Sequence, residues 1–591
     1  MNKKRRSSIM MRKFILAIIL GVLILPGLIL SQSVTTAAFN GRVTDNEGNP
    51  MRGATVTALH TPTGTVYSAV TRPDGFYNIP AVRVGGPYTV KVEMALFVIQ
   101  ERKGITLRLN EDLKLDFILA VEPIAEEVTV VARSPLVSEG RTGAAQNVST
   151  EIIESMPSIS RSFDDYARLA PQVDSRGSGA FSAAGVSNKY NSVQIDGAVT
   201  NNLFGLGSSG TPGLSTPISI DAVQEFQVVI APYDVRNGGF TGGGLNAITR
   251  SGSNRFSGSA YFFGRNQDFI GKGPDQTKYG TFSQKAMSLR LGGPIIKDKM
   301  FFFFNVELGD SVSPPTYVID DSGASDDFGG DVITTAHAQR FRDILINKYG
   351  YDPGGFGREY RKDVLEDKKL FVRIDYNISN RHRLTIRHNY LTGFDDNDPS
   401  KASSSVFAFA DSYYKLTNKT NSTVLQLNST LGQNLFNELI LNYMTIRDDR
   451  DIPDTLFPQV NVAVAGGYRM TAGSEQYSGA NAVNQDIFEI TDNLTWYRGK
   501  HTFTIGTHNE FFWFDNLYIR NFYGYWEFNS LDDFENGKAA RYYHDFYTND
   551  PNKRWSARFG VAQLGAYVGD KWAVLPNLNL TLGFRVDAPI I

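Results

Sequence analysis

The sequence predicts a mainly β, exported membrane protein: a small β-sandwich, a compact α+β segment, and then a transmembrane antiparallel β-barrel that the chain leaves incomplete. Three observations predict it. A basic and then apolar start reads as an export signal. The composition, with 55 glycines, 24 prolines and 12% aromatic residues, is turn-rich and β-leaning. Past Phe256, small or apolar residues alternate with polar ones at a period of two, segment after segment. No apolar run of transmembrane-helix length follows Leu30. A barrel escapes that test, because alternation spreads its apolar residues thinly.

Residues 1–38 read as the signal. Lys3, Lys4, Arg5, Arg6, Arg12 and Lys13 precede an apolar core from Phe14 to Leu30, and small polar residues follow. Cleavage after Ser33 or after Ala38 satisfies the small-residue rule, and the alternative is that the longish core stays as an uncleaved membrane anchor. Losing those six bases takes the formal charge from -2 to about -8. No basic stripe interleaved with aromatics points to nucleic acid. A chain with no cysteine has no disulfides, thiolate metal sites or cysteine nucleophiles.

Residues 39–121 carry short β-prone runs separated by turns, among them FNGRVTDNEGNPMRGATVTAL, TVYSAVTRPDGFYNIPAV and GPYTVKVEM. Pro73-Asp74-Gly75 is a favourable turn. This module resembles the carboxypeptidase regulatory-like domain, a transthyretin-like sandwich. That resemblance implies no peptidase activity, and with only His60 in the module a zinc protease has no ligand set. A linker, 122–141, follows. Within it Glu127, Val128, Thr129, Val130 and Val131 form a β-prone run that is either the last strand of the sandwich or an accessible docking strand.

Residues 142–252 form the α+β segment. STEIIESMPSISRSFDDYARLAPQVD opens with a Ser/Thr-x-x-Glu capping pattern, pauses at Pro157, and resumes as an amphipathic helix with Phe163, Tyr166 and Leu169. A strand with an Asp196-Gly197 turn comes next, and then PISIDAVQEFQVV, where Ile220, Val223 and Phe226 face one way. Glycines 238, 239, 242, 243 and 244 suit tight turns and close packing. Together with the alternating strand that begins at Phe256, this block resembles the end of the plug and the first barrel strand of a TonB-dependent outer-membrane transporter, in the Oar-like branch. On that resemblance, Glu127–Val131 stands where the TonB box does, the segment that pairs by strand addition with the periplasmic coupling protein.

Residues 253–591 read as the first part of the barrel. Leu370, Val372, Ile374, Tyr376 and Ile378 face one side, with Phe371, Arg373, Asp375 and Asn377 opposite. Leu384, Ile386 and Tyr390 repeat the pattern opposite Arg383, Thr385, Arg387 and Asn389. Hairpins are expected at Tyr497–Lys500, at Leu575–Asn577 and within LNSTLGQNLFNELILNY. Long polar connections, 309–367, 392–421, 448–484 and 512–556, alternate with short turns, the outer-membrane asymmetry. GGPIIKDKMFFFFNVE, residues 292–307, resembles an Oar-like hairpin whose phenylalanines fit an interfacial girdle. Roughly eleven or twelve strands can be drawn by alternation. The family's barrel has roughly 22, so the chain is expected to be the front part of a longer barrel.

For sites, Asp196 and Gly197 read first as turn residues, with ligand or ionic-lock contact as the alternative. Gly242–Gly244 lacks the lysine-serine/threonine signature of a phosphate loop. The acidic loop Asp320–Asp331 and the run Asp395, Asp396 and Asp398 offer carboxylates of the kind calcium takes, without its twelve-residue loop pattern. The tract Phe511–Trp526 fits either an aromatic belt or a stacking surface at the mouth. His382 and His388 make a poor metal pair. No cofactor and no catalytic motif is read. The partners the resemblance implies are TonB, outer-membrane lipid and an extracellular ligand. Two functions stand at this level: energy-coupled uptake of an organic ligand, or surface attachment without transport.

Overall fold

The structure, a computed structural model, describes residues 35–121 and 144–591, apart from 159–160, 175–181, 205–209, 231, 240, 273–279, 314–318, 322–332, 357–361, 399–404, 454–455, 465–466, 548–554 and 576–577. The signal as far as Val34, the run Glu127–Val131 and most of the loop Asp320–Asp331 lie outside the described residues.

The front module contains β1 (Ala37–Asp45), β2 (Thr55–His60), β3 (Thr65–Val70), β4 (Phe76–Val82), β5 (Gly85–Glu93), β6 (Gln100–Leu107), β7 (Asp112–Lys114) and β8 (Phe117–Leu119). One sheet runs β4-β1-β7, with β8 also on β1, and the other runs β3-β2-β5-β6. Alternate residues of each strand turn inward, so that Phe39, Val43, Val56, Tyr77, Tyr88, Val90 and Phe117 fill a single core. β1 starts at Ala37. Just before it, Thr35 is buried, with its hydroxyl donating to Glu438 Oε1 at 2.7 Å and accepting from Gln426 Nε2 at 2.6 Å. Cleavage after Ala38 would remove these contacts and two residues of β1. We therefore expect N-terminal sequencing of the exported protein to begin at Val34. A sequence beginning at Phe39 would refute this.

The second module contains β9 (Ala144–Val148), α1 (Thr150–Ser155), α2 (Phe163–Ala167), β10 (Val173–Asp174), β11 (Ser182–Ala183), β12 (Ser192–Ile195), β13 (Ala198–Val199), β14 (Val223–Ile230) and β15 (Gly243–Thr249). Its main sheet has the order β13-β12-β15-β14-β9. Ser162 and Asp165 form a capping box on α2. Phe163 and Tyr166 pack on Phe226, with ring centroids 4.9 and 5.7 Å away. Leu169 does not join them: it falls beyond the end of the short helix and is exposed. The glycine run serves close packing, since a Cβ on Gly242 or Gly243 would collide with the Asn191 or Ala183 side chain. The Gly243 amide donates to Asn191 Oδ1 at 2.9 Å, which occupies a group that a bound anion would need.

The remaining elements are, in chain order, β16 (Ser257–Asn266), β17 (Ser283–Ile296), β18 (Met300–Ser313), α3 (Thr335–Tyr349), β19 (Lys362–Asn377), β20 (His382–Asp398), β21 (Val406–Ala408), β22 (Tyr414–Thr430), β23 (Leu435–Asp451), β24 (Gln459–Ala463), β25 (Arg469–Ala472), β26 (Asn481–Arg498), β27 (His501–Tyr518), β28 (Tyr525–Phe528), α4 (Leu531–Glu535), β29 (Arg541–Tyr543), β30 (Ser556–Leu575) and β31 (Leu578–Ile590). Eleven of them form one antiparallel sheet, the wall, ordered β16-β17-β18-β19-β20-β22-β23-β26-β27-β30-β31. It does not close on itself: β16 and β31 are its two edges. The period of two sends Phe371, Arg373, Asp375, Arg387 and Asn389 to the inner face, all buried, while Ile374, Ile378 and Ile386 are exposed outside. The phenylalanine run is divided by the same rule. Phe301 and Phe303 turn inward and are buried, and Phe303 joins the core of the second module together with Phe371. Only Phe302 and Phe304 remain on the outer face for a girdle.

The long polar connections carry secondary structure of their own. They fold together into a cap with a second sheet, ordered β21-β25-β24-β28-β29, and with α3 and α4 packed on it. Phe341, Leu345, Phe407, Phe409, Val460, Met470 and Phe534 form its own core. The tract Phe511–Trp526 is shared between β27 and this cap. Asp321 is also employed structurally, accepting from the amide and hydroxyl of Thr335 at 2.8 and 2.6 Å at the start of α3.

Candidate functional site

Wall and second module meet through charged side chains, and the densest cluster surrounds Asp196. Asp196 and Gly197 have φ of 45° and 74°, a tight left-handed pair joining β12 to β13. The turn aims the aspartate at the wall. Its carboxylate accepts from the Thr249 amide at 2.8 Å and hydroxyl at 2.7 Å, and it pairs with Arg387 Nε at 3.0 Å and Arg373 Nη1 at 3.5 Å. Arg387 also donates from Nη2 to the Ile195 carbonyl. Arg373 and Arg387 are directly opposite each other in the β19–β20 register. Like charges placed so repel. The cluster answers with anions on both sides, Asp196 from the second module and Asp375 from the wall, which accepts from Arg373 Nε and Nη2 at 2.9 and 2.8 Å.

Two further contacts repeat the design. Glu307 accepts from Ser219 Oγ at 2.6 Å and Tyr261 OH at 2.9 Å, and pairs with Lys369 at 2.8 Å, while Lys369 also donates to Thr216 Oγ1 at 3.0 Å. Glu489 accepts from the Val199 amide at 3.1 Å, and Gln485 donates to Asn202 Oδ1 at 2.6 Å. The inner wall thus grips the second module at separate points of its sheet and loops. Sequence reasoning identified Asp196 and placed Arg373 and Arg387 on the polar face, but it did not bring them together. Two cations on adjacent inner strands were the available signal that an anion lies between them.

The front module presses on the edge of the same sheet. Glu225 on β14 accepts from the Leu109 amide at 3.1 Å and from Asn147 Nδ2, and Gln227 Nε2 donates to the Leu109 carbonyl at 3.0 Å. Burial pushes Glu225 up to about 7, against the Asn147 and Leu109 hydrogen bonds and the charge of Arg108, with Glu111 adding to the rise. A carboxyl raised in this way favours the folded state most below its ordinary value of 4.5, and the contribution is lost as pH rises through about 7. The total is at most on the order of 3 kcal/mol. Glu225→Gln, which cannot ionise, should flatten the loss of amide protection at residues 109–112 between pH 5 and pH 8. Hydrogen exchange at the two pH values checks this after correction for the intrinsic rate.

A wall apolar outside and polar inside, gripping a folded domain on its inner face, defines a plugged outer-membrane β-barrel architecture. The chain belongs to the outer membrane β-barrel domain family, which it matches over residues 248–320 and 359–589, and its front module matches the carboxypeptidase regulatory-like domain over 38–120. It is 31% identical over 303 residues to the TonB-dependent transporter Oar of Myxococcus xanthus, an alignment covering 48% of this chain and 28% of that protein. Its fold is similar to that of the outer membrane transporter YddB from Escherichia coli, with a TM-score of 0.51 at 16% identity, over 75% of this chain and 56% of that one. The chain therefore spans under a third of the curated relative's length. These comparisons bear out the mainly β, outer-membrane β-barrel architecture with a carboxypeptidase regulatory-like front module that the sequence predicts, and they place the protein in the outer membrane. Both relatives are named as transporters.

Proposed function

We propose that the chain is the front part of an energy-coupled outer-membrane importer. An extracellular organic ligand binds at the cap and plug, and TonB captures Glu127–Val131 from the side of the short turns. The front sandwich lies on that periplasmic side: the Asn254 amide donates to Pro62 O at 2.8 Å, and Asn377 Nδ2 to Thr65 Oγ1 at 3.0 Å, at the short-turn end of the wall. One observation carries the reading. β9, which begins at Ala144 just after the linker, is an edge strand of the plug sheet, paired along one side with β14 in the register Ala144↔Ile230 to Val148↔Phe226. Asp196 and Thr249 sit at the ends of the interior strands β12 and β15. Tension on the linker would load this single ladder first and reach the latch, the contact of Asp196 with Thr249, Arg373 and Arg387, through β14 and β15, whereas pulling on a central strand would have to break two ladders at once.

The absence of native cysteine makes the test direct. Thr129→Cys should cross-link to a cysteine in the periplasmic domain of TonB, and deletion of Glu127–Val131 should abolish capture of that domain. Equal capture by the deleted protein would overturn the coupling. The folded cap also supports a second reading, surface attachment through the external loops. Under that reading attachment survives the same deletion.

A further inference from the structure

We propose that the front sandwich is a bolt on the plug, with Arg83 as the positioning residue that raises the cost of withdrawing Asp196 from the wall. This deepens the gating reading above, but its test requires neither TonB nor a ligand.

Arg83 lies in the turn between β4 and β5. Its Nη2 pairs with Asp375 Oδ1 at 2.9 Å, and its Nη1 donates to Ser251 Oγ at 2.8 Å, two residues beyond the latch threonine. Around it, Arg383 Nη2 donates to the Ala81 carbonyl at 2.8 Å with its guanidinium over the Tyr67 ring, and Gln224 Nε2 donates to the Val84 carbonyl at 3.1 Å. At Gly64, with φ of 63°, a Cβ would collide with the Asp298 carboxylate in a wall turn, so the sandwich is seated closely. Asp375 is the shared group. Its Oδ1 receives Arg83, Arg373 Nη2 and Thr385 Oγ1, while Arg373 Nη1 reaches Thr249 Oγ1 at 2.8 Å and Asp196. A continuous chain of charged contacts therefore runs Arg83, Asp375, Arg373, Asp196, Arg387 from sandwich through wall to plug.

Charge counting gives the chain its direction. With the sandwich docked, three guanidiniums, Arg83, Arg373 and Arg387, share two carboxylates, Asp375 and Asp196. If Asp196 leaves, three buried or half-buried cations face a single anion. With the sandwich undocked, withdrawal of Asp196 leaves two cations and one anion, and Asp375 is free to satisfy Arg373 alone. Glu489, the neighbouring carboxylate, accepts from the Val199 amide and Asn442 Nδ2 through Oε2, and its charge acts on Arg387 whether or not the sandwich is docked, so it does not change the difference between the two cases. An uncompensated buried charge is the costly state. Docking of the sandwich and seating of Asp196 therefore favour each other, and by linkage, displacing the plug also loosens the sandwich.

The test compares Arg83→Gln, Asp196→Asn and the double variant in the full-length protein in detergent, by hydrogen exchange of the peptide covering 243–250. The Thr249 amide in that peptide donates directly to Asp196. Arg83→Gln should speed exchange there roughly tenfold, within the usual range of coupling. Arg83→Lys, which keeps the charge, should retain most of the protection. In the Asp196→Asn background, Arg83→Gln should add little, because the charge it acts through is gone. If Arg83→Gln loosens residues 76–93 but leaves 243–250 unchanged, or if the two substitutions add fully, the bolt is overturned. Failure of TonB capture would leave this result untouched.

Discussion

Replacing Asp196 with alanine is expected to unlatch the plug at a cost of about 3–5 kcal/mol, the range seen when one partner of a buried ion pair is removed. The substitution leaves Arg387, only 1% exposed, without its ion-pair partner, and takes from Arg373 the anion facing its Nη1. It also removes the acceptor of the Thr249 amide, at the end of a strand paired on both sides. Asn should cost less than Ala, because its side-chain oxygen still accepts from Thr249 while the charge is lost. Arg387→Leu added to Asp196→Ala should recover part of the loss, since an apolar side chain in that space needs no counter-ion. The measurement is denaturant unfolding of the plug in the full-length protein, followed by exchange of the β12 and β15 amides. An Asp196→Ala plug within about 0.5 kcal/mol of the wild type, the usual scatter for surface substitutions, would mean that the cluster is not a latch.

Much of this was legible from local patterns and the rest was not, for a physical reason. Alternation alone assigned the inner and outer faces of β19 and β20, because a strand's period does not depend on its partners. The Asp196-Gly197 turn was legible because left-handed backbone favours that pair. The partners of the carboxylate lie 177 and 191 positions away in sequence at Arg373 and Arg387, and only the register of the wall and the pose of the plug bring them together. Phe301–Phe304 was misread for a similar reason: a run of one residue type carries no phase, and the structure gives half of it to the plug core. The cap was missed because its strands are three to five residues long and scattered over several connections. Each piece, taken alone, is too short to show a period.

That scattering makes the cap the place for the second large effect. Phe341 on α3 is fully buried, set edge-on to Phe409 at 5.5 Å and Phe534 at 5.2 Å, so one ring joins segments from three separate connections. Phe341→Ala should cost about 3–5 kcal/mol through lost burial and the cavity left behind, a large part of the stability that a module with so small a core can possess. Limited proteolysis of the intact protein should then cut within the cap while the wall remains resistant. A second group gives this loss a pH dependence. Asp411 accepts from Tyr351 OH at 2.5 Å and from the Gly473 amide at 2.7 Å, and burial pushes it up to about 7, with Asp352 adding to the rise and those hydrogen bonds opposing it. Its contribution is greatest below its ordinary value of 3.8 and is lost as pH rises through about 7. The Phe341→Ala cap should therefore resist protease better at pH 5 than at pH 8, and adding Asp411→Asn should remove most of that difference. If the variant is cut equally at both pH values, Asp411 is not the source of a pH dependence in the cap; if it is not cut at all, the cap does not depend on its aromatic core.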